Sequence, residues 1–445
     1  MNPACNMIPN GAFAAGQIGR LPADWELKAP YPQNAPAFKL VRNAGRNLLL
    51  AAGNGSDDCF GYIAAPVRLT AGRTYRLRAR FRISAGLNPQ RHLRFAVFTE
   101  SFNNGIFHFR RRPGGWAEGE GTFLFPQKHD EAGEVRLVFC FSAAGKAWIK
   151  EVALEEADPL PARPVRIACV SGTGGLAAWK QVLDAAAAEE ADLALLPEMI
   201  NGDTIESMTG PTARLLAHKA RQHGMYVAGG FYCRDSKTRR ALNVAALFDR
   251  AGRLAGRYAK QHPYTPELWG IPGAVAAVSP GRDVPVFRTD FGTVGIMICY
   301  DSWFTDVAEL LALKGAEVIL FPSGGYFRSL MPARAADNCV RIAASSLNCS
   351  EGIWDTAGRD VTQPELDPTT FANCPLRMTA RKIRHRRIGK LRLLAATLHL
   401  DQSPSPHNWG GPMLSAPGGR RNRREQIRLL HDDIRNEIER WWDEK

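Results

Sequence analysis

The sequence predicts an α/β domain preceded by an all-β sandwich or jelly roll. In residues 1–158, short apolar or alternating runs are separated by turn signals, which is typical of sandwich strands. From residue 165 onward, apolar strands alternate with helical patterns, and this alternation is typical of an α/β fold. The proline-rich stretch at 157–164 separates the two patterns and is the predicted linker. A chain of 445 residues is also too long for one ordinary core.

The strands of the first domain are short and bounded by turns, such as those at 71–73 and 143–146. The most regular of them are YIAAPVRL, TYRLRARFRI, HLRFAVFTE, GTFLFP, EVRLVFCFS and AWIKEVALEE. No helical pattern interrupts this series, which favours two packed antiparallel sheets.

The second domain, residues 165–400, begins with two strand–helix pairs. They are VRIACV with LAAWKQVLDAAAAEEA, and DLALLPE with PTARLLAHKARQHG. Pro211 suits the start of the second helix and Gly224 its end. A strand and a hairpin follow as MYVAGGFY, NVAALFD and RLAGRYAK.

The remaining elements of this domain surround the strand TVGIMIC, which ends at Cys299. Apolar residues at 304, 307, 308 and 311 have helical spacing, and Gly315 suits the end of that helix. The strand AEVILFPSG and the helix–strand segment PARAADNCVRIAAS come next. Residues 401–445 form a tail whose apolar spacing predicts a final amphipathic helix.

Charge and cysteine usage limit the classes of function. The net charge of +13 is concentrated in the basic runs 381–392 and 420–424. No helix-turn-helix, zinc finger or aromatic RNA-binding pattern accompanies them, so an acidic substrate or a subunit contact is favoured over nucleic acid.

Nine scattered cysteines show no metal-ligand or disulfide spacing. Without a signal peptide or a long apolar run in the sequence, we expect a cytoplasmic protein with no membrane span.

Three segments carry residues that together could perform acyl chemistry. Cys299 lies at a strand-to-helix turn, where α/β folds place reactive groups, and Glu198 and Lys260 also close strand-like runs. Each has an ordinary interpretation by itself: a small core residue, a solvated carboxylate and a surface lysine. Together they are a nucleophile, a base and a cation for a tetrahedral oxyanion.

Three motifs resemble the three signature blocks of the nitrilase (carbon–nitrogen hydrolase) superfamily. They are LLPEM, YAKQHPYTPE and GIMICYDSWFTDVAELLALKGAEVILFPS. This resemblance implies an αββα sandwich and a homo-oligomer. It implies Glu198 as general base, Lys260 as oxyanion stabiliser, Cys299 as nucleophile and Glu267 as a second glutamate. The backbone N–H of Tyr300 would complete the oxyanion hole. The block around Lys260 departs from the family pattern, since it continues as Gln-His-Pro.

The resemblance implies hydrolysis of a non-peptide carbon–nitrogen bond in a small amide or carbamoyl compound, through a thioester. No metal or cofactor takes part in such a reaction. Acyl transfer to an amine is an alternative, because the thioester does not dictate its acceptor. A glycan-binding or scaffold protein with a non-catalytic hydrolase-like domain is another, although binding alone does not require Glu198, Lys260 and Cys299 together.

The first domain resembles a carbohydrate-binding jelly roll in IPNGAF, DW, LTAGRTYRLRARFRI and AWIKEVALEE. Such modules bind sugar through exposed aromatic side chains and can hold a structural calcium ion. Trp25, Trp116 and Trp148 are therefore either sugar contacts or ordinary core and turn residues.

Overall fold

A computed structural model describes residues 6–100, 102–106, 109–125, 127, 129–269, 277–362 and 380–401. The predicted C-terminal helix and the basic run 420–424 lie outside these residues. None of the helices in the described ranges is both long and apolar enough to cross a membrane.

The first part of the chain forms two antiparallel sheets, and its described residues include only short helical turns between the strands. Its elements are β1 (Glu26–Lys28), β2 (Ala37–Asn43), β3 (Arg46–Ala52), β4 (Phe60–Leu69), β5 (Thr74–Ile83), α1 (Pro89–His92), β6 (Leu93–Thr99), β7 (Asn103–Gly105), β8 (Phe109–Arg111), β9 (Trp116–Leu124), β10 (Glu131–Cys140) and β11 (Lys146–Ala157). Within the described ranges, the strand orders are β1-β4-β10-β6-β7 and β2-β3-β11-β5-β9-β8.

These two sheets pack face to face around one core. Ile63 of the first sheet and Leu77 and Phe81 of the second are fully buried in the same cluster. Trp25 also belongs to this cluster and lies 5.5 Å from the ring of Phe13, so it is a core residue and not an exposed sugar contact.

The second part of the chain alternates strands and helices, as predicted. Its strands are β12 (Pro164–Ser171), β13 (Leu193–Leu195), β14 (Tyr226–Arg234), β15 (Ala241–Phe248), β16 (Leu254–Ala259), β17 (Val286–Arg288), β18 (Thr293–Ile296), β19 (Val318–Ser323), β20 (Arg341–Ser346), β21 (Gly352–Trp354), β22 (Ala380–Ile388) and β23 (Leu391–His399). Its helices are α2 (Leu176–Ala188), α3 (Pro211–His223), α4 (Thr265–Trp269), α5 (Asp306–Leu313) and α6 (Leu330–Asn338).

These strands form a hydrogen-bonded sheet that folds over on itself. Its main path among the described residues is β16-β15-β14-β13-β12-β20-β19-β18-β17. β14 and β19 contact each other although three strands separate them along this path, so the two halves of the sheet face each other as two layers. α3 packs on β14 and β15, whereas α5 packs on β18 and α6 on β20. The layers are therefore helix, sheet, sheet, helix, which is the αββα sandwich expected from the motifs.

Successive side chains of the buried strands pack into two different cores, one on each face of the sheet. In β12, Ile167 and Cys169 belong to the core that includes the facing sheet, whereas Ala168 and Val170 belong to the core beneath α2 and α3. Successive side chains of a strand point to opposite faces, so a strand buried on both faces must be apolar throughout.

Two details differ from the sequence expectations. The helix expected to include residue 304 begins at Asp306, and Phe304 lies outside it and is exposed. A 3-10 helix at Cys299–Trp303 occupies the space between strand and helix. In addition, the basic run 381–392, where no strand was predicted, contains most of β22, which pairs with β23.

Candidate active site

Glu198 lies in a loop that is attached to the neighbouring strand. The loop follows β13, and its backbone bonds to β14, where Gly230 N donates to Pro197 O at 2.9 Å and Ile200 N donates to Gly230 O at 2.9 Å. Residue 230 must be glycine, because a Cβ there would lie 2.7 Å from the Cα of Glu198. The chain is therefore held close to β14, and the Glu198 side chain is only 1% exposed.

Lys260 follows β16 directly, and its buried ammonium group contacts two carboxylates. Nζ donates to Glu198 Oε1 at 2.9 Å and to Glu267 Oε2 at 2.8 Å. Burial alone would lower the pKa of Lys260, but the charges of Glu198, the Cys299 thiolate form and Glu267 outweigh it and raise that pKa. Lys260 is therefore a permanent cation at neutral pH.

Glu267, in α4, receives four hydrogen bonds. Its Oε1 accepts from Asn243 Nδ2 at 2.7 Å and from the Tyr232 hydroxyl at 3.2 Å. Its Oε2 accepts from Lys260 Nζ and from Tyr264 N at 2.7 Å. Burial and the nearby carboxylates raise the pKa of Tyr232, so its phenol stays protonated and donates. With this many donors already bound, Glu267 is suited to holding Lys260 in place.

The carboxylate of Glu198 accepts fewer hydrogen bonds than that of Glu267. Its Oε1 accepts from Lys260 and from Asn243 Nδ2 at 2.7 Å, while Oε2 accepts, within the described ranges, only from Gly324 N at 2.6 Å. A carboxylate oxygen has two lone-pair positions, so Oε2 keeps one for a proton. This difference separates the two glutamates chemically.

Cys299 begins the 3-10 helix after β18 and has a left-handed backbone with φ of +45°. A non-glycine residue in this region carries strain of about 1–3 kcal/mol, which is common at functional sites. Its half-buried thiol lies 3.4 Å from Gly325 O. Because Gly324 N bonds Glu198, the thiol and the carboxylate meet at the same segment after β19.

The thiol of Cys299 is protonated at neutral pH. Burial raises its pKa, the charge of Glu198 raises it further, and Lys260 lowers it, with a resulting pKa of about 11. A thiol in this state needs a base to become a nucleophile.

Asp301, which the sequence reasoning did not select, fixes the turn that carries Cys299. Its Oδ2 accepts from Ile298 N at 2.9 Å and from the Tyr258 hydroxyl at 2.6 Å. Its Oδ1 accepts from the backbone N of His262 at 2.9 Å. This fully buried carboxylate thus joins the cysteine turn to the loop after Lys260. The signal was present, since an acidic residue two positions after the nucleophile has no place in a purely apolar core.

Asn243 of β15 is the second residue missed. Its Nδ2 donates to both Glu198 and Glu267, and since carboxylates only accept, its amide must turn the NH2 group toward them. Its Oδ1 is consequently buried without a partner among the described residues. A polar residue within the apolar run NVAALF was the available signal.

Exposed aromatic rings border the cysteine turn. Trp303 and Phe327 are 50% and 57% exposed and pack edge to face at 5.0 Å. The ring of Tyr300 packs on Trp303 at 5.7 Å and on Tyr264 at 5.4 Å. The expected role of the Tyr300 N–H in an oxyanion hole stays a prediction.

In the described part of the chain, no group of three or more His, Cys, Asp or Glu side chains is arranged to hold a metal ion. A structural calcium ion in the first domain stays a prediction. Of the three side chains, Glu198 and Lys260 bond each other, and the thiol of Cys299 bonds the backbone at Gly325.

In a comparison with known protein families, residues 165–360 match the model of the carbon–nitrogen hydrolases, and this segment is less than half of the 445-residue chain. The matched segment contains Glu198, Lys260, Glu267 and Cys299.

Particular relatives are amidases by name. The chain is 28% identical over 186 residues to omega-amidase NIT2-B of Xenopus laevis, and 26% identical over 181 residues to omega-amidase NIT2 of Homo sapiens. These alignments cover 37% and 36% of this chain, and the chain spans only 66% and 64% of the relatives' lengths.

Among solved structures, the chain matches Nit3 of Saccharomyces cerevisiae with a TM-score of 0.43 and 21% identity over 55% of this chain and 93% of that one. Another is a mutant of the amidase from Nesterenkonia AN1, with a TM-score of 0.44 and 19% identity over 61% of this chain and 98% of that one.

Proposed function

We propose that this protein hydrolyses the carbon–nitrogen bond of a small amide or carbamoyl compound through a cysteine thioester. The proposal depends on one observation: Glu198 Oε2 and the Cys299 thiol contact adjacent residues of the backbone, at 324 and 325. Lys260 is bonded to the same glutamate. The amidase relatives support the same class of reaction.

In the first half of the reaction, the sulfur of Cys299 attacks the carbonyl carbon and Glu198 takes the thiol proton. The carbonyl oxygen becomes an oxyanion, which Lys260 and the N–H of Tyr300 stabilise. The carbon–nitrogen bond then breaks, and protonated Glu198 gives its proton to the leaving nitrogen. Ammonia or an amine departs, and an acyl thioester remains on Cys299.

In the second half, water attacks the thioester carbonyl while Glu198 accepts a proton from it. The carbon–sulfur bond breaks, protonated Glu198 returns its proton to the sulfur of Cys299, and a carboxylic acid leaves. The same carboxylate therefore acts as base and then as acid in each half of the reaction, which requires the free lone pair on Oε2. Glu267 and Asn243 position Lys260 and Glu198 and exchange no proton.

The exposed rings of Tyr264, Trp303 and Phe327 favour a substrate with an apolar or flat portion away from the scissile bond, because exposed aromatic area beside a reactive group is suited to ligand contact. We further propose a homo-oligomer. A cytoplasmic location fits the described cysteines, which are all free thiols.

The test is ammonia release from a panel of ω-amides, aryl amides and carbamoyl compounds. Cys299→Ala should lose turnover completely with an unchanged melting temperature. Cys349→Ala is the matched control, because Cys349 is the other half-buried cysteine of the described ranges, and it should keep its activity. Turnover retained in Cys299→Ala would remove the proposal.

A further inference from the structure

The hydroxyl of Ser323, the last residue of β19, lies beside the nucleophile and has no role in the steps proposed above. Ser323 is fully buried, and its Oγ donates to Gly325 O at 2.9 Å. The Cys299 thiol donates to the same carbonyl oxygen at 3.4 Å. Two donors therefore converge on one acceptor, which places the serine hydroxyl next to the sulfur.

Loss of the thiol proton changes the hydrogen bonding at this oxygen. A thiolate is a charged acceptor, so it no longer donates to Gly325 O, and the lone pairs of that oxygen repel it. A serine hydroxyl rotates about its C–O bond and can donate to whichever acceptor is stronger. The charged sulfur is the stronger of the two, because hydrogen bonds to ionised groups are about twice as strong as those between neutral groups.

The influences on the pKa of Cys299 agree with a contact between the hydroxyl and the sulfur. Burial and the charge of Glu198 raise this pKa. Lys260 lowers it, and hydrogen bonds from the Ser323 hydroxyl and the Gly325 backbone lower it further. Ser323 thus supplies a neutral donor that favours the charged form of the sulfur.

We propose that the Ser323 hydroxyl is a further catalytic group, which turns from Gly325 O to the sulfur of Cys299 whenever that sulfur carries negative charge. Ser323 keeps its own proton throughout, and the thiol proton still passes to Glu198. During attack, the hydroxyl stabilises the developing thiolate. When the carbon–sulfur bond of the thioester breaks, its electron pair passes to sulfur, and the hydroxyl stabilises this charge until Glu198 returns the proton.

The bond from Ser323 to the sulfur forms only in the charged states, and this restriction makes it useful for catalysis. The thioester sulfur between the two steps is uncharged and a weak acceptor, so the hydroxyl returns to Gly325 O. An interaction that is stronger in the transition state than in the ground state raises the rate. The role in turnover rests on the proposed function, whereas stabilisation of the thiolate itself does not.

Ser346 offers a structural comparison for Ser323. It lies directly opposite Ser323 in the register of β19 and β20, and it is also fully buried. Its hydroxyl donates to Gly324 O at 3.3 Å and accepts from Cys349 N at 3.1 Å. A serine that only holds the segment after β19 in place would behave like Ser346, so the two residues separate a catalytic role from a structural one.

The test is the rate of Cys299 alkylation by iodoacetamide between pH 8 and 10, without substrate, followed by peptide mass spectrometry. Ser323→Ala should be at least about threefold slower than wild type at each pH, because the loss of about tenfold in thiolate fraction is partly offset by the greater nucleophilicity of a more basic thiolate. Ser323→Thr keeps the hydroxyl and should stay within about twofold of wild type, as should Ser346→Ala. An unchanged rate in Ser323→Ala, or equal slowing in both alanine variants, would overturn the proposal.

Turnover gives a second and independent measurement. If the protein hydrolyses an amide, Ser323→Ala should lower kcat about tenfold with little change in KM, because the hydroxyl bonds the sulfur and not the substrate. A higher KM with an unchanged kcat would contradict this role. If wild type hydrolyses none of the amides offered, the proposed function fails, while the alkylation rates still decide the role of Ser323.

Discussion

Cys299 is held as a protonated thiol in the resting site, and the groups around it act in opposite directions. Burial and the charge of Glu198 raise its pKa to about 11, while Lys260 lowers it. An activated cysteine usually has a cation as its dominant neighbour. Here the cation is bound by two carboxylates, and in the proposed mechanism Cys299 is therefore activated by proton transfer to Glu198 during attack.

The first prediction concerns alkylation of Cys299 by iodoacetamide, followed by peptide mass spectrometry. Below pH 11 the thiolate is the minor form, so the rate should rise about tenfold per pH unit between pH 8 and 10. Glu198→Gln removes a charge that disfavours the thiolate, yet it should slow the labelling at neutral pH because the proton acceptor is lost. Faster labelling in this variant would show that Glu198 acts only as a charge and not as the base.

The second prediction concerns Asn243, which separates and orients the two glutamates. Asn243→Ala removes one donor from each carboxylate, and leaving buried acceptors under-satisfied costs about 1–3 kcal/mol in unfolding free energy. We expect kcat to fall with little change in KM, since no part of the substrate is bound by Asn243. Asn201→Ala is the control, because Asn201 bonds only backbone groups of the same region. An equal loss of kcat in the control would contradict the role of Asn243.

At the scale of elements, the cysteine turn and the lysine loop are joined by one carboxylate. Asp301 accepts from the turn through Ile298 and from the loop through His262. His262 also lies 3.4 Å from Asp306 at the start of α5 and stacks on Phe304 at 4.1 Å. These contacts hold the strand-to-helix turn that carries Cys299 against the loop after Lys260.

The third prediction is a pH dependence of stability that arises at this junction. The hydrogen bond to Asp301 raises the pKa of His262 despite partial burial, and Asp306 and the charge of Asp301 act in the same direction. Protonated His262 therefore stabilises the folded state fully below its unfolded pKa of about 6.5, and this contribution disappears as pH rises through the higher folded value.

Urea unfolding at several pH values tests this prediction. Wild type should lose stability between pH 6 and 8, and His262→Asn should lose less over the same range. Asp337→Asn is the control, because Asp337 is an exposed carboxylate elsewhere in the domain and should leave the slope unchanged. If the unfolding free energies of wild type and His262→Asn change in parallel with pH, the contacts of His262 are not the source of the pH dependence.

At the scale of the whole molecule, the apolar cores do not share residues. Every member of the sandwich core lies between residues 8 and 154. The two cores of the αββα part lie between residues 165 and 400. Cores built from separate stretches of chain can unfold separately.

The fourth prediction is that calorimetric melting resolves two transitions. Phe81→Ala and Phe321→Ala each empty a fully buried position and should cost about 3–5 kcal/mol. The first substitution should lower only one transition and the second only the other. A single transition that moves with both substitutions would mean that the two parts unfold as one unit.

The sequence by itself determined the order of elements and the residue types of the site. Alternation and helical spacing are local properties, so β12, α2, α3 and the strand before Cys299 were predictable from neighbouring residues. The motifs also indicated Glu198, Lys260, Glu267 and Cys299. Short edge strands such as β7 and β8 were missed, because three residues carry too little periodicity.

The tertiary structure alone decided which of these residues meet and what each can do. Folding the sheet over brings the loop after β13 against the segment after β19, and this contact sets Glu198 beside the cysteine turn. Only the count of donors around each carboxylate distinguishes Glu198, which keeps an open lone pair, from Glu267. The roles of Asn243 and Asp301 likewise depend on hydrogen bonds between residues distant in sequence, and local periodicity contains no information about such pairs.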